Sequence, residues 1–120
     1  MKNAEIIKMK NAEVKKAEAL ILVEIIEYEM NSVVIKTIIK KTTGNVSVLS
    51  LDVGEGLVER ISAFDSFAHI IDGRAEIVID GKSTFLETGQ SIIIPAHISN
   101  KIVANERFKM ILTVIKSGYE

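Results

Sequence analysis

The sequence predicts an all-β domain, a sandwich or barrel. Three observations predict it. From Ser32 onward the chain is dominated by short runs rich in Val, Ile and Thr, residues that suit a pleated surface. Turn clusters, most of them bearing glycine, separate these runs at close and regular intervals. No strand–helix alternation follows residue 31, so a doubly wound parallel sheet is not expected.

The elements follow in chain order. The first 31 residues are the least regular, and a strand or extended arm is expected near the start. Residues 11–29 contain many good helix formers. Their apolar residues, Leu20 to Val23 and then Ile25-Ile26, are too continuous for a one-sided helix. A short helical turn around residues 19–26 is the expectation. The tetrad Lys-Asn-Ala-Glu occurs at residues 2–5 and again at 10–13. It reads as chance in a biased tail, because architectural repeats have periods of roughly 20–50 residues. Glu24, Glu27 and Glu29 read as a solvated edge.

Residues 32–41 form the first long strand candidate, followed by the turn cluster Thr42-Thr43-Gly44-Asn45. Residues 46–53 return and close at Gly54-Glu55-Gly56. Residues 67–71 form a third strand ended by Asp72-Gly73. Residues 74–79 come next, with Ala75, Ile77 and Ile79 on one face. Asp80-Gly81 is a two-residue hairpin turn of the kind that needs positive φ. Residues 82–86, 91–94, 100–103 and 108–115 complete the set, with Thr88-Gly89 and Pro95 as breaks.

Bulk properties narrow the function. A chain of 120 residues is one ordinary domain, large enough for a core without disulfide or metal staples. The net charge is −1 and aromatics are 5 %, so nucleic-acid binding lacks both its electrostatic and its stacking signature. The absence of cysteine removes disulfides, thiolate metal sites and a Cys nucleophile, and fits a reducing compartment. Charges interrupt the N-terminal apolar residues, which is unlike a signal peptide, and the run from Ala19 stops at Glu24. A soluble, cytoplasmic protein with no membrane partner is expected.

Two stretches go further than strand counting. The first runs from Gly54 to Gly73 and ends in Ile70-Ile71-Asp72-Gly73. The second, Gly89 to Asn100, reaches Pro95 after five intervening residues. Together they resemble the two signature motifs of the cupin superfamily. The similarity covers about residues 32–115 and is closest to small single-domain bacterial cupins, including their Phe-Lys-Met ending, here Phe108-Lys109-Met110. The resemblance implies an RmlC-like jelly-roll barrel, or double-stranded β-helix, over residues 32–120, with a pocket between its sheets. It also implies a homodimer, with residues 1–31 as an arm at the contact.

Many cupins hold Fe, Mn, Ni or Zn through His-x-His and Glu in the first motif and His in the second. Those four positions fall on Arg60, Ser62, Ser66 and Asn100. A fixed positive charge, two hydroxyls and a neutral amide do not suit these metals. No metal and no cofactor are therefore expected. Asp65 is one residue before the usual Glu. It reads either as a loop ion pair with Arg60 or as part of a polar floor, with Arg60 and Asn100, for an organic anion. Alternation puts Ser66, Ala68 and Ile70 on the pocket face and His69 on the other. His97 is a loop or interface histidine, with a general base at the barrel mouth as the alternative. Gly-x-Ser-x-Gly, phosphate-binding glycine loops and His-Glu-x-x-His are absent.

Three functions remain open. The leading one is a metal-free cupin binding a small, anionic molecule through Arg60, Ser62, Asp65, Ser66, His97 and Asn100. The second is a metal-independent isomerase or epimerase-like enzyme using His97 or His69 with Asp65. The third is an interaction cupin with no small ligand, its barrel filled by Phe64, Phe67 and Ile side chains.

Overall fold

A computed structural model describes residues 7–10 and 14–116. Most of the two Lys-Asn-Ala-Glu tetrads lies outside the described residues. Among the described residues, nine strands form two sheets that share one long strand. The first sheet runs in the order β1 (Ile7–Lys10), β2 (Val33–Lys41), β3 (Gly44–Leu51), β9 (Phe108–Ile115), β5 (Asp65–Ile79) and β7 (Ser91–Ile94). The second runs β4 (Gly56–Ile61), β8 (Ser99–Val103), β5 and β6 (Lys82–Glu87). The all-β expectation holds. So do the early strand, which pairs in parallel with β2, and the helical turn, a 3-10 turn at Leu22–Glu24.

Three boundaries differ from expectation, each for a local reason. Residues 67–71 and 74–79 are one strand, not two. Asp72-Gly73 bends β5 without ending it: Ile70 pairs with Met110 and Asp72 with Lys109, leaving Ile71 as the bulged residue. Gly73, at φ 89°, makes the corner where β5 leaves β9 for β6. Residues 56–61, which carry no strand signal, form β4. A register shift between Leu57 and Arg60 breaks its alternation, and Val58 and Ile61 stay exposed. The turn after β2 is only Thr42-Thr43, since Lys41 already pairs with Gly44. At Asp80-Gly81 both residues have positive φ, as the hairpin requires.

The core lies between the sheets. Ala68 and Ile70 from one half of β5, and Ala75 and Ile77 from the other, are buried there. Leu49, Leu51, Leu57, Ile94, Ile102, Phe108 and Met110 meet them. The outer face of the second sheet is mixed, with exposed Ile61 and Phe85 among polar pairs. Glu76 accepts from Ser83 Oγ at 2.5 Å and Asn105 Nδ2 at 2.9 Å, Arg74 lies over the Phe85 ring, and Ser99 Oγ donates to Glu59.

The first sheet's outer face is apolar, and the segment before β2 covers part of it. Ile26 packs on Val34 and Val48, with Ile25, Ile38, Ile71 and Ile111 around them. Polar ties fix the segment. Ser50 Oγ donates to the Glu27 carbonyl at 2.8 Å and Lys109 Nζ to the Val23 carbonyl at 2.7 Å. Tyr28 donates to Asp72 at 2.6 Å, beneath the Arg107 guanidinium and the Lys109 ammonium. Burial, then that bond to a carboxylate, pushes the Tyr28 hydroxyl up. Glu24 and Glu27 are solvated as expected, and beside them stands the partly exposed Glu29. It pairs with Lys8 at 2.8 Å and Lys10 at 3.0 Å and so ties β1 to the segment.

Asp52 closes this region. Its carboxylate accepts from the Asn31 amide at 2.8 Å and from Arg107 Nη2 at 3.1 Å. The Asn31 amide first, and Arg107 second, hold its carboxyl below the usual range, against the opposing effect of burial. A lowered folded-state value stabilises the fold above the unfolded value and loses that contribution as pH falls through the folded one. Asp52→Ala should therefore cost about 0.5–1.5 kcal/mol at neutral pH, the net worth of the lost hydrogen bonds, because Asn31 and Arg107 are exposed and water can replace the carboxylate. In urea melts run from pH 7 down to pH ~2.5, the gap between variant and wild type should shrink as the carboxyl protonates. A constant gap would show that the carboxylate charge contributes nothing.

Candidate functional site

The site residues sit where two loops meet at one end of the barrel. β4 leads through residues 62–64 into β5, and β7 leads through residues 95–98 into β8. The loops are bonded to each other. The His97 amide donates to the Ser62 carbonyl at 2.7 Å, and the Ala96 amide donates to Asp65 Oδ1 at 2.7 Å. Ser62 Oγ accepts from the Phe64 amide at 3.1 Å, shaping its own turn. His97 is exposed and has φ 66°, a left-handed conformation that turns the loop toward β8.

Behind this seam, Arg60 and Asn100 are direct register partners, and Asn100 also pairs with Ile79. Partners across a ladder share a face. Asn100 lies two residues before the buried Ile102, so the shared face is the inner one. The β4 register shift is what brings Arg60 onto the same face as Leu57. Asn100 is only 3 % exposed, and its amide makes one long bond, 3.4 Å, to the Arg60 carbonyl. Ser66 follows the same logic. It pairs with Ile94 and Val114, two residues before buried Ala68, and lies half-buried on the inner face.

Arg60 is exposed and makes no ion pair among the described residues. The Arg60–Asp65 pair is therefore not formed. Alternation puts Asp65 on the outer face with Phe67, and its carboxylate serves the loop amide of Ala96. The other two arginines are engaged, Arg74 with Glu87 and Phe85, Arg107 with Asp52 and Tyr28. His69 is on the outer face as alternation requires, with Nδ1 2.5 Å from Ser91 Oγ. The six candidates thus divide. Arg60, Ser66 and Asn100 face inward at the mouth, while Ser62, Asp65 and His97 bind the two loops together. Ile79, missed as a site residue, sits beside Asn100; its signal was the period-two face of Ala75, Ile77 and Ile79.

Along the strands, the buried residues next to the mouth are Ala68, Ile94 and Ile102 of the apolar core. Residues at the four metal-ligand positions do not fit a transition metal. Arg60 brings a cation, the Ser62 hydroxyl is spent on a backbone amide, and the Asn100 amide nitrogen points at a carbonyl. Among the described residues, no three of His, Asp and Glu gather into a metal-binding group.

Strand order, the long shared β5 and the position of the mouth define a cupin jelly roll, here without the family's metal ligands. The comparisons agree on the fold. A conserved protein of unknown function from Streptococcus pyogenes is similar at 28 % identity over 98 % of both chains, with a TM-score of 0.84. A cupin superfamily protein from Desulfitobacterium hafniense is similar at 25 % identity over 87 % of this chain and 95 % of that one, TM-score 0.81. A cupin 2 conserved barrel domain protein from Leptotrichia buccalis is similar at 29 % identity over 78 % of this chain, which spans 46 % of that protein, TM-score 0.76. No family model and no curated protein matches the sequence. Among the described residues, no helix is long and apolar enough to cross a membrane.

Proposed function

We propose that this is a metal-free cupin that holds a small anionic molecule at the barrel mouth, with Arg60 as the gripping group and Asn100 as its neighbour. The observation that carries the reading is the register pair itself. An arginine without an ion-pair partner among the described residues stands opposite a buried asparagine on the inner face. A guanidinium presents paired donors that match a carboxylate or phosphate, and an amide adds one more. No cofactor is part of this reading, and the cysteine-free sequence is in keeping with a cytoplasmic setting.

Calorimetric titration with phosphate and with small mono- and dicarboxylates tests it. Arg60→Ala should weaken the tightest of these by roughly 10- to 100-fold, the value of one charge-assisted contact. Arg60→Lys should recover only part, because it keeps the charge but loses the fork. If Arg60→Ala binds every anion as the wild type does, the role of Arg60 is wrong. A second reading, an interaction cupin with no small ligand, draws on the packed apolar interior, and no binding of any anion would favour it. The acid–base reading has less support, because Asp65 serves a loop amide and His69 lies on the outer face.

A further inference from the structure

The inner face of the first sheet changes character toward the mouth. Ladder partners share a face, so the registers define its rows. The row Ile35, Leu49, Met110 and Ile70 belongs wholly to the apolar core. One row nearer the mouth, the β2 and β3 positions become hydroxyls, Thr37 and Ser47, while Leu112, Ala68 and Ile92 stay apolar. The mouth row reads Lys40, Asn45, Val114, Ser66 and Ile94. Most of the polar positions thus gather on β2 and β3. Ser47 is buried among them, and a hydroxyl on a core face calls for a polar group opposite it.

What lies opposite is β4. β3 and β4 are in different sheets and are joined by residues 52–55 alone, so β4 stands across from β3. At the other end, residues 62–64 lead from β4 to the strand of Ser66, and residues 95–98 lead from Ile94 to β8. These short links bring Arg60 and Asn100 level with the mouth row. Packed sheets stand about 10 Å apart, so Arg60 enters the mouth from one wall and Lys40 from the other. Lys116 extends the second wall. It continues the inner face past Val114, and its amide donates to the Thr43 carbonyl at 2.7 Å. With Lys40, Lys41, Thr42 and Thr43 it borders an open cavity at the hairpin tip. Neither Lys40 nor Lys116 makes an ion pair among the described residues. The carboxylates nearest in the chain are turned to other work: Glu59 accepts from Ser99 on the outer face, and Asp65 from the Ala96 amide. The mouth therefore has two positive walls, with hydroxyls and amides between them.

We infer that the anion of this mouth carries two charged groups on a short spacer, one held by Arg60 beside Asn100 and the other by Lys40, with Lys116 next to it. The inference rests on the Arg60 reading and adds a second grip, which sets the class of ligand: a small dianion with its charges apart, such as a dicarboxylate, rather than a single carboxylate. Calorimetric titrations with acetate, succinate and glutarate test it. In the wild type the better of the two dicarboxylates should bind about tenfold more tightly than acetate, the value of a second charged contact. Lys40→Ala should erase most of that advantage and leave acetate binding unchanged. Lys40→Glu should reverse it, so that acetate binds better than either dicarboxylate. Arg60→Ala should weaken acetate and dicarboxylates alike. Lys101→Ala is the control. It removes the same charge one residue from Asn100, but from the outer face, and should leave the preference intact. Lys40, Arg60 and Lys101 are all exposed, so circular dichroism should report unchanged folds. If the wild type binds acetate and the dicarboxylates equally and Arg60→Ala loses all three, the Arg60 reading stands and the second grip is overturned. If Lys40→Ala and Lys101→Ala lower dicarboxylate binding equally, the preference is one of overall charge, and the inference is overturned as well. A wild type that binds none of the three removes both readings together.

Discussion

Gly73→Val should be the most damaging single substitution in the chain, costing about 4 kcal/mol from backbone strain and overpacking together. Two causes act at once. Gly73 holds φ 89°, which a β-branched residue does not adopt without strain. A Cβ there would fall on the Arg107 carbonyl oxygen and lie 3.0 Å from Phe108 Cα, both of them backbone atoms that cannot step aside. The position is the corner of β5, where the chain passes from one sheet to the other, so relaxing it would pull β6 and β9 out of register. A domain of this size holds only about 5–15 kcal/mol of stability, so Gly73→Val should be largely unfolded at moderate temperature. Urea melts of Gly73→Ala and Gly73→Val check this. A shift below about 1 kcal/mol for both would show that the corner is soft.

Phe108→Ala should cost about 3–5 kcal/mol, the usual range for a large side chain removed from a packed core. Phe108 is fully buried, starts β9, and registers with Leu51 on one side and Gly73 on the other. Leu49, Leu51, Ile70 and Met110 share the cluster, and they belong to three ordered strands that cannot collapse into the void together. Phe108→Leu should recover more than half of the loss. Equal destabilisation by the leucine variant would mean that ring shape, not volume, is what the core needs.

These two sites also show what the sequence can and cannot disclose. Alternation in residues 74–79 and 66–70 marked the inner face correctly, because one side of each strand is buried and the other is not. Asp72-Gly73 looked like a strand end, since Asp-Gly is a turn dipeptide. Whether such a glycine ends a strand or bends it depends on what pairs beyond it, here β6 and β8. β4 was invisible for the opposite reason. Its register shift removes the period of two, and its exposed Val58 and Ile61 carry no burial signal. At the site, motif position brought Arg60 and Asn100 forward, and they are indeed partners. The same positions could not show that Asp65 turns to a backbone amide. Nor does Ser-Ile-Ile-Ile in β7 reveal which of its isoleucines is left uncovered; Ile94 is buried and Ile93 is not.

At the four positions where many cupins hold a metal this chain carries Arg60, Ser62, Ser66 and Asn100, and the proposed function gives the Arg60 guanidinium the ligand-gripping role. The most direct test is a nuclear magnetic resonance titration of the wild type, following the Arg60 Nε–H and the Asn100 side-chain amide. Phosphate or a small carboxylate should shift both signals together and saturably, while Zn²⁺ or Mn²⁺ at equal concentration should leave them unmoved. Signals that ignore every anion and respond to the metal ions would contradict the account.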